Sequence, residues 1–356
     1  MNKVLGLLFI TLTFSCSENT RDEQFTVLHL SPTEGKMIDC ERQFEPMEII
    51  PLKEKENFHI RAIKKIELFN GEYYVLCNNS KNVIAVFNHA GDKIREIGRW
   101  GKGHGEHGQI LDFCIDRENL RVIILESSSH VTVYSLTGGY ISDKIISKSA
   151  LWNIESIDGN VLCTTNHQTY TEGNEAFLFY IYDADFNLLT KHTKVLPEYM
   201  GMFSLITMPL KTFNNQFVYS DFYSHNMYIL DKTGKIIRTY RYGKKNLMPA
   251  EYFRDMTIFQ KHQMKYDFVL DNAVLNDTII SIYKENNQVR IALNRSNGEL
   301  LKDCPISVPV PKIYAMDGNT LLSVGSIEDL YEMEHKDIED NLDYSFFIIR
   351  FKINSL

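Results

Sequence analysis

The chain repeats a pattern of short apolar runs separated by polar turns. In its clearest copy, Asn70-Gly71 precedes an apolar run over residues 73–77, and a second run follows over residues 83–87. Runs of this length that are rich in aromatic and branched residues and bounded by Asn and Gly predict β-strands joined by tight turns. A further run over residues 93–97, after Gly91, predicts another strand of the same unit.

The unit returns at a regular spacing. We mark each copy by the last large apolar residue of its second apolar run. These marker residues are Phe87, Tyr134, Tyr182, Leu230, Leu293 and Phe351. The first three intervals are 47 or 48 residues long, and the last two are 63 and 58 residues long. A repeat of this length with several short strands is typical of β-propeller blades. We therefore predict an all-β, six-bladed β-propeller in one domain over residues 25–356.

Each unit divides into four strands, named A to D from the propeller axis outward. In the first blade these strands are expected at residues 60–69, 73–77, 83–87 and 93–97. The last unit ends on a C strand at residues 346–351, without a D strand after it. Because an open ring would expose sheet edges, we expect an N-terminal strand, at residues 25–30 or 47–52, to close it.

Two connections are unusually long. Residues 248–256 are expected to hold a helical turn between the fourth and fifth blades. Residues 326–344 carry eight acidic residues and one lysine, a composition that favours a solvated flap. A cation or partner site in this flap is the alternative, although the spacing does not match an EF-hand loop.

The N-terminus has the pattern of an export signal. Residues 4–14 are apolar but too short to span a membrane, and Ser15-Cys16 follows them. We predict a signal peptide over residues 1–15, lipidation of Cys16, and a polar tether over residues 16–24. Outer-membrane anchoring is the expected location, on the periplasmic or the cell-surface side, and a plain cleaved signal or a free cysteine is the alternative.

The charge and the cysteine content of the chain exclude some classes of binding partner. The sequence has 38 basic and 46 acidic residues, a net charge of −8, and no basic cluster, which argues against nucleic acid. The cysteines outside the signal segment are scattered without a CxxC pair, so neither a disulfide framework nor a zinc site is expected. Cys77, Cys114 and Cys163 lie in apolar runs and are interpreted as buried. No cofactor is predicted.

The stretch from Ile94 to Glu106, with its glycine-rich loop after an apolar strand, resembles the six-bladed β-propeller lipoproteins of Bacteroidota, relatives of the NHL-repeat proteins. Residues 47–52 and 110–116 are similar to the same family. The resemblance implies the fold over the whole mature chain and an envelope location, but no particular activity. His104 stands where the family usually has proline.

The glycine-rich loop has two other interpretations. A phosphate-binding loop is disfavoured because no helix with a Lys-Ser/Thr start follows. His104, Glu106 and His107 are residue types that a metal could use, but the spacing of a zinc motif is absent. We favour a structural loop between blades in which Glu106 caps backbone N–H groups, and predict no metal site.

The B–C and D–A loops emerge on one face of a propeller, where ligands usually bind. On this chain that face is expected to combine aromatic rings with carboxylates and imidazoles, a mixture that suits glycans or peptides. The candidate ligand-binding residues are Arg99, Trp100, His104, Glu106, His130, His167, Asp221, Tyr223 and His225.

The function predicted from the sequence is a non-catalytic binding or scaffold module for a glycan, a peptide or an envelope protein. The membrane would be contacted through the lipid anchor alone. A lyase or hydrolase with His and carboxylate pairs in the axial funnel is the alternative, and convergence of His130, His167 or His225 with Asp221 on one ion would favour it. A structural subunit of an envelope complex is a third hypothesis.

Overall fold

The structure is a computed structural model that describes residues 25–30, 44–54, 57–167, 176–202, 208–305, 312–317, 320–326 and 345–353. Within these residues, 25 strands form six sheets, one for each blade of a β-propeller. Neighbouring A strands contact each other around the axis. The prediction of an all-β, six-bladed β-propeller closed by an N-terminal strand is confirmed.

The first three blades each contain four consecutive antiparallel strands. Blade 1 consists of β3 (Ala62–Phe69), β4 (Glu72–Asn79), β5 (Lys81–Phe87) and β6 (Lys93–Ile97). Blade 2 consists of β7 (Ile110–Asp116), β8 (Arg121–Glu126), β9 (His130–Ser135) and β10 (Tyr140–Ile145). Blade 3 consists of β11 (Asn153–Ile157), β12 (Asn160–Thr164), β13 (Phe177–Tyr182) and β14 (Leu188–Lys194).

The last three blades include the two N-terminal strands. Blade 4 consists of β15 (Leu210–Phe213), β16 (Gln216–Asp221), β17 (Asn226–Leu230), β18 (Ile236–Tyr242) and the added β1 (Thr26–Leu28). Blade 5 consists of β19 (Phe268–Leu275), β20 (Thr278–Glu285), β21 (Gln288–Arg295) and β22 (Leu300–Pro305). Blade 6 consists of β23 (Ala315–Asp317), β24 (Thr320–Ser326), β25 (Phe346–Ile353) and β2 (Phe44–Pro51).

Strand β2 closes the ring. It pairs antiparallel with β25 as the outer strand of blade 6, with Ile49 opposite Ile349. Of the two predicted closing strands, the segment 47–52 is therefore correct and the segment 25–30 is wrong. Strand β1 instead pairs parallel with β18, with Thr26 opposite Tyr240, because the outer edge of blade 4 is open to it and Leu28 becomes fully buried there.

The core lies between adjacent sheets. All six marker residues sit in C strands and are at most 1% exposed, as the repeat predicts. Between blades 1 and 2, for example, Tyr74 and Ile84 pack with Phe113 and Tyr134 in one buried cluster. Burial of each such side chain contributes about 1.5–3 kcal/mol relative to exposure. Packing between blades therefore fixes the positions of the loops at both ends of the ring.

The A–B turns differ among the blades. Asn70 and Gly71 have φ angles of 51° and 74°, and Phe69 pairs with Glu72 across them, as expected for a two-residue hairpin. In blade 2, Asp116 pairs with Arg121, so the turn holds the four residues 117–120. This longer turn carries Arg117 toward the axis.

Short helices cover the opposite face over blades 2 to 5. Among the described residues they are the 3₁₀ turns Ser127–Ser129, Pro197–Tyr199 and Ala250–Arg254, and helix α1 (Met256–His262). The helical turn predicted within residues 248–256 is present and continues into α1, where the carboxylate of Asp255 accepts hydrogen bonds from two backbone N–H groups. In the described part of the chain, no helix is long and apolar enough to cross a membrane. The acidic segment 326–344 lies outside the described residues except at residue 326.

The cysteines correct one prediction. Cys77, Cys114 and Cys163 are free and buried, as expected, and burial raises the pKa of Cys77 to about 12. Cys304, however, forms a disulfide bond. The prediction that the cysteines form no disulfide is therefore wrong, and scattered spacing concealed the pair because a disulfide joins residues that only the fold brings together.

Candidate functional site

The predicted site residues on the B–C and D–A loops form separate groups. In the loop after β6, Arg99 and Trp100 are exposed, while Glu106 is half-buried. The carboxylate of Glu106 accepts a hydrogen bond of 2.8 Å from the N–H of Gly103, which agrees with its predicted capping role. A Cβ atom at Gly101 would lie 1.7 Å from the same carboxylate, so a larger residue there would displace the Glu106 side chain.

The two histidines of this loop do not converge. His107 is 1% exposed, packs edge-on against Trp100, and contacts the backbone oxygen of Gly108 through Nδ1 at 3.0 Å. His104 packs instead against Tyr140 of blade 2, with ring centroids 4.7 Å apart. Among the residues that the structure describes, no group of three or more His, Cys, Asp or Glu side chains could hold a metal ion.

His104 and His130 meet in a second group along the outer strand of blade 2. Tyr140 donates a hydrogen bond to Asp143, whose other carboxylate oxygen lies 3.0 Å from Nε2 of His130. Glu126 lies 3.3 Å from Nδ1 of the same imidazole. The hydrogen bond from Tyr140, with that from His130, holds the pKa of Asp143 below its usual value. This group lies along an outer strand, away from the axis.

His167, Asp221 and Tyr223 form a third group, which is buried. Nε2 of His167 lies 3.2 Å from Asp221, and the rings of Tyr199 and Tyr223 pack edge-on against the imidazole at 5.7 and 5.0 Å. Burial works against the charge of Asp221, but the contacts from His167 and Ser224 hold its pKa below the usual value. Nδ1 of His167 is buried without a hydrogen-bond partner among the described residues.

His225 does not join this pair. Its imidazole hydrogen-bonds to the backbone of Met248, and burial is the main reason that its pKa is lowered. Of the three histidines whose convergence with Asp221 on one ion would favour an enzyme, His167 lies beside Asp221, His225 bonds elsewhere and His130 lies in blade 2. Because His167 is 3% exposed, a ligand would reach it only if the covering residues moved.

The axis itself contains charged residues that sequence reasoning missed. Nζ of Lys65 in blade 1 lies 2.6 Å from the Glu155 carboxylate of blade 3 and 3.2 Å from Asp112 of blade 2. It also donates hydrogen bonds to the backbone oxygens of Phe113 and Ile154, at 2.6 and 3.3 Å. Three blades are thus joined through one ammonium group.

Glu67 completes this group, which we name the Lys65 cluster: Lys65, Glu67, Asp112 and Glu155. Glu67 lies 3.7 Å from Lys65. Burial alone would lower the pKa of Lys65, but the three neighbouring carboxylates outweigh it and raise that pKa. Burial raises the pKa of Glu155 well above its usual value, because the lysine charge is shared among several acids.

A related group, the Lys211 cluster, lies three blades further around the ring and consists of Lys211 and Asp271. Lys211 of blade 4 forms an ion pair with Asp271 of blade 5 and donates hydrogen bonds to the backbone oxygens of Asn272 (3.1 Å) and Ile313 (2.8 Å). Here burial dominates and lowers the pKa of Lys211.

A local feature of the backbone accompanies these groups. The pairing register shifts just before Lys65, Asp112 and Asp271 in their A strands. An extra residue of this kind re-aims the side chain that follows it. The sequence signal was a charged residue inside an apolar A strand, as in the run Ile110-Leu111-Asp112-Phe113, but its partner is not visible from local spacing.

The axis opens beside Arg117 on the face of the A–B turns, a region that we name the axial mouth. Arg117 donates a hydrogen bond of 3.0 Å to the backbone oxygen of Leu68, lies 3.5 Å from Glu67, and stands over the ring of Phe69. Its side chain is 52% exposed. Arg117 therefore lies between the Lys65 cluster and solvent.

Arg117 lines three cavities at the axial mouth, of which one, beside Lys65 and Glu67, has a volume of only about 40 Å³. The other two are larger. The first has a volume of about 460 Å³ and is lined by Leu68, Phe69, Asn70, Gly71, Tyr73, His89, Arg117, Met316 and Arg350. The second has a volume of about 310 Å³ and is lined by Arg117, Glu118, Ser156, Ile157, Asp158, Thr212, Phe213, Asn214 and Asn215. Both volumes fall within or near the range of ligand sites.

A family model for a domain of unknown function, DUF4934, matches residues 25–345. The chain belongs to the DUF4934 family. The match includes strands β1 to β24 and ends before β25, so it covers most of the ring and Arg117 of the axial mouth. A search of curated proteins found no significant match.

A solved structure shares the fold. A Bacteroides fragilis protein named as a putative exported protein is 12% identical, with a TM-score of 0.72, covering 93% of this chain and 100% of its own. The WD40 propeller domain of Doa1 (12% identity, TM-score 0.40, 87% and 98% coverage) and U3-55K (12% identity, TM-score 0.43, 86% and 99% coverage) are less similar.

Proposed function

We propose that this DUF4934 protein is an exported, lipid-anchored binding module of the cell envelope that has no catalytic activity of its own. The observation that carries the proposal is the axial mouth, where two ligand-sized cavities meet at Arg117. By contrast, the titratable groups of the Lys65 cluster are buried and bound to one another, an arrangement that supports a rigid platform rather than a reaction centre.

The proposed ligand site lies on the face opposite the one predicted from the sequence. Of the predicted residues, His104, Glu106 and His130 have partners within the chain, and His167, Asp221 and Tyr223 are buried. Arg99 and Trp100 remain exposed there. The partner classes proposed for the module are a glycan, a peptide or an envelope protein.

An envelope location has three supports. The first is the signal-like segment before Cys16. The second is the disulfide of Cys304, because such bonds persist mainly in oxidising compartments outside the cytosol. The third is the name of the Bacteroides fragilis relative, which describes that protein as exported. We propose Cys16 as the lipidated residue and the outer membrane as the membrane to which it is anchored.

Binding is tested on a soluble form that lacks residues 1–16. We expect saturable binding to at least one class of an array of glycans and peptides, with no chemical change in the bound compound. Arg117→Gln should weaken this binding, and Arg295→Gln is its matched control, because Arg295 has the same side-chain exposure as Arg117 (52%) but does not line either cavity. Turnover of a bound compound would contradict the proposal.

The anchor has a separate test. Cys16→Ala should release the protein from membranes, because a lipid chain on this residue is the proposed contact with the bilayer. Ser17→Ala, one residue along, should leave the protein in the membrane fraction. Continued membrane association of the Cys16→Ala protein would contradict the proposed anchor.

One observation favours an enzyme as the second candidate. His167 is oriented by Asp221 and has an unpartnered buried Nδ1 atom among the described residues, as a general base would require before a substrate arrives. Lyase or hydrolase activity that is lost in His167→Gln, while the folded state is retained, would support this candidate and would replace the binding module.

A further inference from the structure

The two larger cavities of the axial mouth have different chemical linings. Among the described lining residues, the first cavity has the basic side chains Arg117, Arg350 and His89 and no carboxylate. Arg350 is held by Glu48 at 3.0 Å. Arg117 donates a hydrogen bond of 3.0 Å to the Leu68 carbonyl, and its contact to a carboxylate, that of Glu67, is longer at 3.5 Å. A planar guanidinium with five N–H donors can bind a carboxylate through two parallel hydrogen bonds.

The first cavity also has apolar walls. Leu68, Phe69 and Met316 are partly buried and line it beside the basic groups. Apolar and aromatic surfaces of this kind pack on the C–H faces of sugar rings, while a few polar groups fix the orientation. The site therefore offers a charged contact next to a surface for a ring.

The second cavity is lined mainly by hydroxyl, amide and carboxylate groups. Its side chains include Ser156, Thr212, Asn214 and Asn215, together with the acids Glu118 and Asp158. Amides and hydroxyls both donate and accept, and carboxylates accept, so this set can pair with ligand hydroxyl groups. These acids would disfavour further negative charges on the same ligand, Glu118 more than Asp158, because Asp158 is paired with Lys232 at 3.1 Å.

These linings select among anionic ligands. An acidic peptide or a polyanion would place several negative charges near Glu118 and Asp158, on a protein whose net charge is −8. A ligand with one carboxylate and neighbouring hydroxyl-rich rings avoids that repulsion. Arg117 can hold the carboxylate because it is common to both cavities.

We propose that the axial mouth binds an oligosaccharide containing a single uronic acid, with the carboxylate on Arg117, the ring of that unit against Phe69, and adjacent neutral sugars in the cavity beside Asn214 and Asn215. This inference rests on the proposed binding function and names its ligand class.

The test uses xylotriose bearing one glucuronic acid, its neutral methyl ester, and a tetraglutamate peptide as titration probes for the soluble form lacking residues 1–16. We expect the acid to bind at least about tenfold more tightly than the ester, because a charged hydrogen-bonded pair is lost in the ester. The peptide should bind more weakly than the acid. Added salt should weaken binding of the acid more than that of the ester.

Variants identify the residue that binds the carboxylate of the ligand. Arg117→Gln should weaken binding of the acid by about tenfold or more and leave the ester unaffected, and Arg117→Lys should recover part of the loss. Arg295→Gln should have no effect. Because Arg117→Gln also removes a contact to Glu67, the thermal unfolding of this variant is compared with that of wild type. The ratio of the affinities of the wild-type protein for the acid and the ester is evidence that does not depend on any variant.

Three outcomes would overturn the inference: equal affinity for acid and ester, tightest binding of the peptide, or no binding of the uronate probe. If other compounds on the glycan and peptide array still bind saturably, the binding function survives and only its ligand class is wrong. If no compound on the array binds either, both proposals fail.

Discussion

The Lys65 and Lys211 clusters occupy equivalent positions three blades apart, and their comparison shows how side chains tune one backbone arrangement. In each, the lysine binds an aspartate of the next blade and a backbone oxygen of the blade after it. Each aspartate accepts a hydrogen bond from the N–H of that further blade, at Ile154 (2.9 Å) or Ile313 (2.7 Å).

The difference lies in two neighbouring positions. Glu67 is two residues after Lys65, and the position two residues after Lys211 is Phe213. Glu155 follows Ile154, and Tyr314 follows Ile313. With the extra acids, the pKa of the lysine is raised, and without them burial lowers it. The same connection between blades can therefore contain a lysine that keeps its proton strongly, as Lys65 does, or one that loses it more readily, as Lys211 does.

The largest expected effect comes from removing each lysine. Lys65→Met leaves three buried carboxylates without their cation and should lower the free energy of unfolding by about 3–5 kcal/mol. Lys211→Met leaves only Asp271, which keeps two backbone N–H donors, and should cost about 1–3 kcal/mol. Urea unfolding at pH 7 measures both, and the exposed Lys232→Met is the control, expected within about 0.5 kcal/mol of wild type. Equal costs for the two buried lysines would contradict the comparison.

Glu155→Gln should change the dependence of stability on pH. The folded-state pKa of Glu155 lies above the ordinary value of 4.5, so between these two values the folded chain binds more protons and stability falls as pH rises. In the Glu155→Gln variant, the free energy of unfolding should fall less than in wild type as pH rises. The difference should be about 1 kcal/mol between pH 4.5 and 7. Unfolding midpoints over this range test it, with the exposed Glu299→Gln as control. Parallel pH profiles for wild type and Glu155→Gln would refute the prediction.

The smallest expected effect concerns alkaline pH. The folded-state pKa of Lys211 is below the ordinary value of 10.5, so between the two values the unfolded chain binds more protons and stability from this group rises with pH. Lys65 has a raised pKa, so its contribution is retained below 10.5 and lost above it. In wild type, Lys211 should raise the free energy of unfolding by a few tenths of a kcal/mol as pH rises toward 10.5. The Lys211→Met variant should lack this rise. If the Lys65→Met variant lost the same rise in stability with pH, the two clusters would not differ in the pKa of their lysines.

Much of the fold follows from local sequence, and the site does not. The marker residues from Phe87 to Phe351 identify all six C strands because burial between sheets requires a large apolar side chain there. Asn70-Gly71 identifies a tight turn because its residues adopt positive φ. Lys65 and Glu155, however, are 90 residues apart, and their contact depends on how the blades meet around the axis.

The location of the candidate site was missed for a related reason. General experience with propellers favoured the B–C and D–A loops, where His167 and Asp221 do meet, but sequence did not reveal that Tyr199 and Tyr223 bury them. Arg117 lies in a turn that is longer than that of blade 1, and its position at the axis follows from the ring geometry. A charged residue in an irregular A–B turn is the signal that could have been used.

The placement of β1 on blade 4 has a mechanical consequence for a tethered protein. Force applied through the N-terminus reaches the pairing of β1 with β18 before it reaches β2, which closes blade 6. Three residue pairs join β1 to β18, from Thr26 opposite Tyr240 to Leu28 opposite Tyr242, and these pairs would bear the load first. If the protein is held through its N-terminus as proposed, blade 4 would take the load first, and the closing strand would be loaded only after β1 had separated from β18.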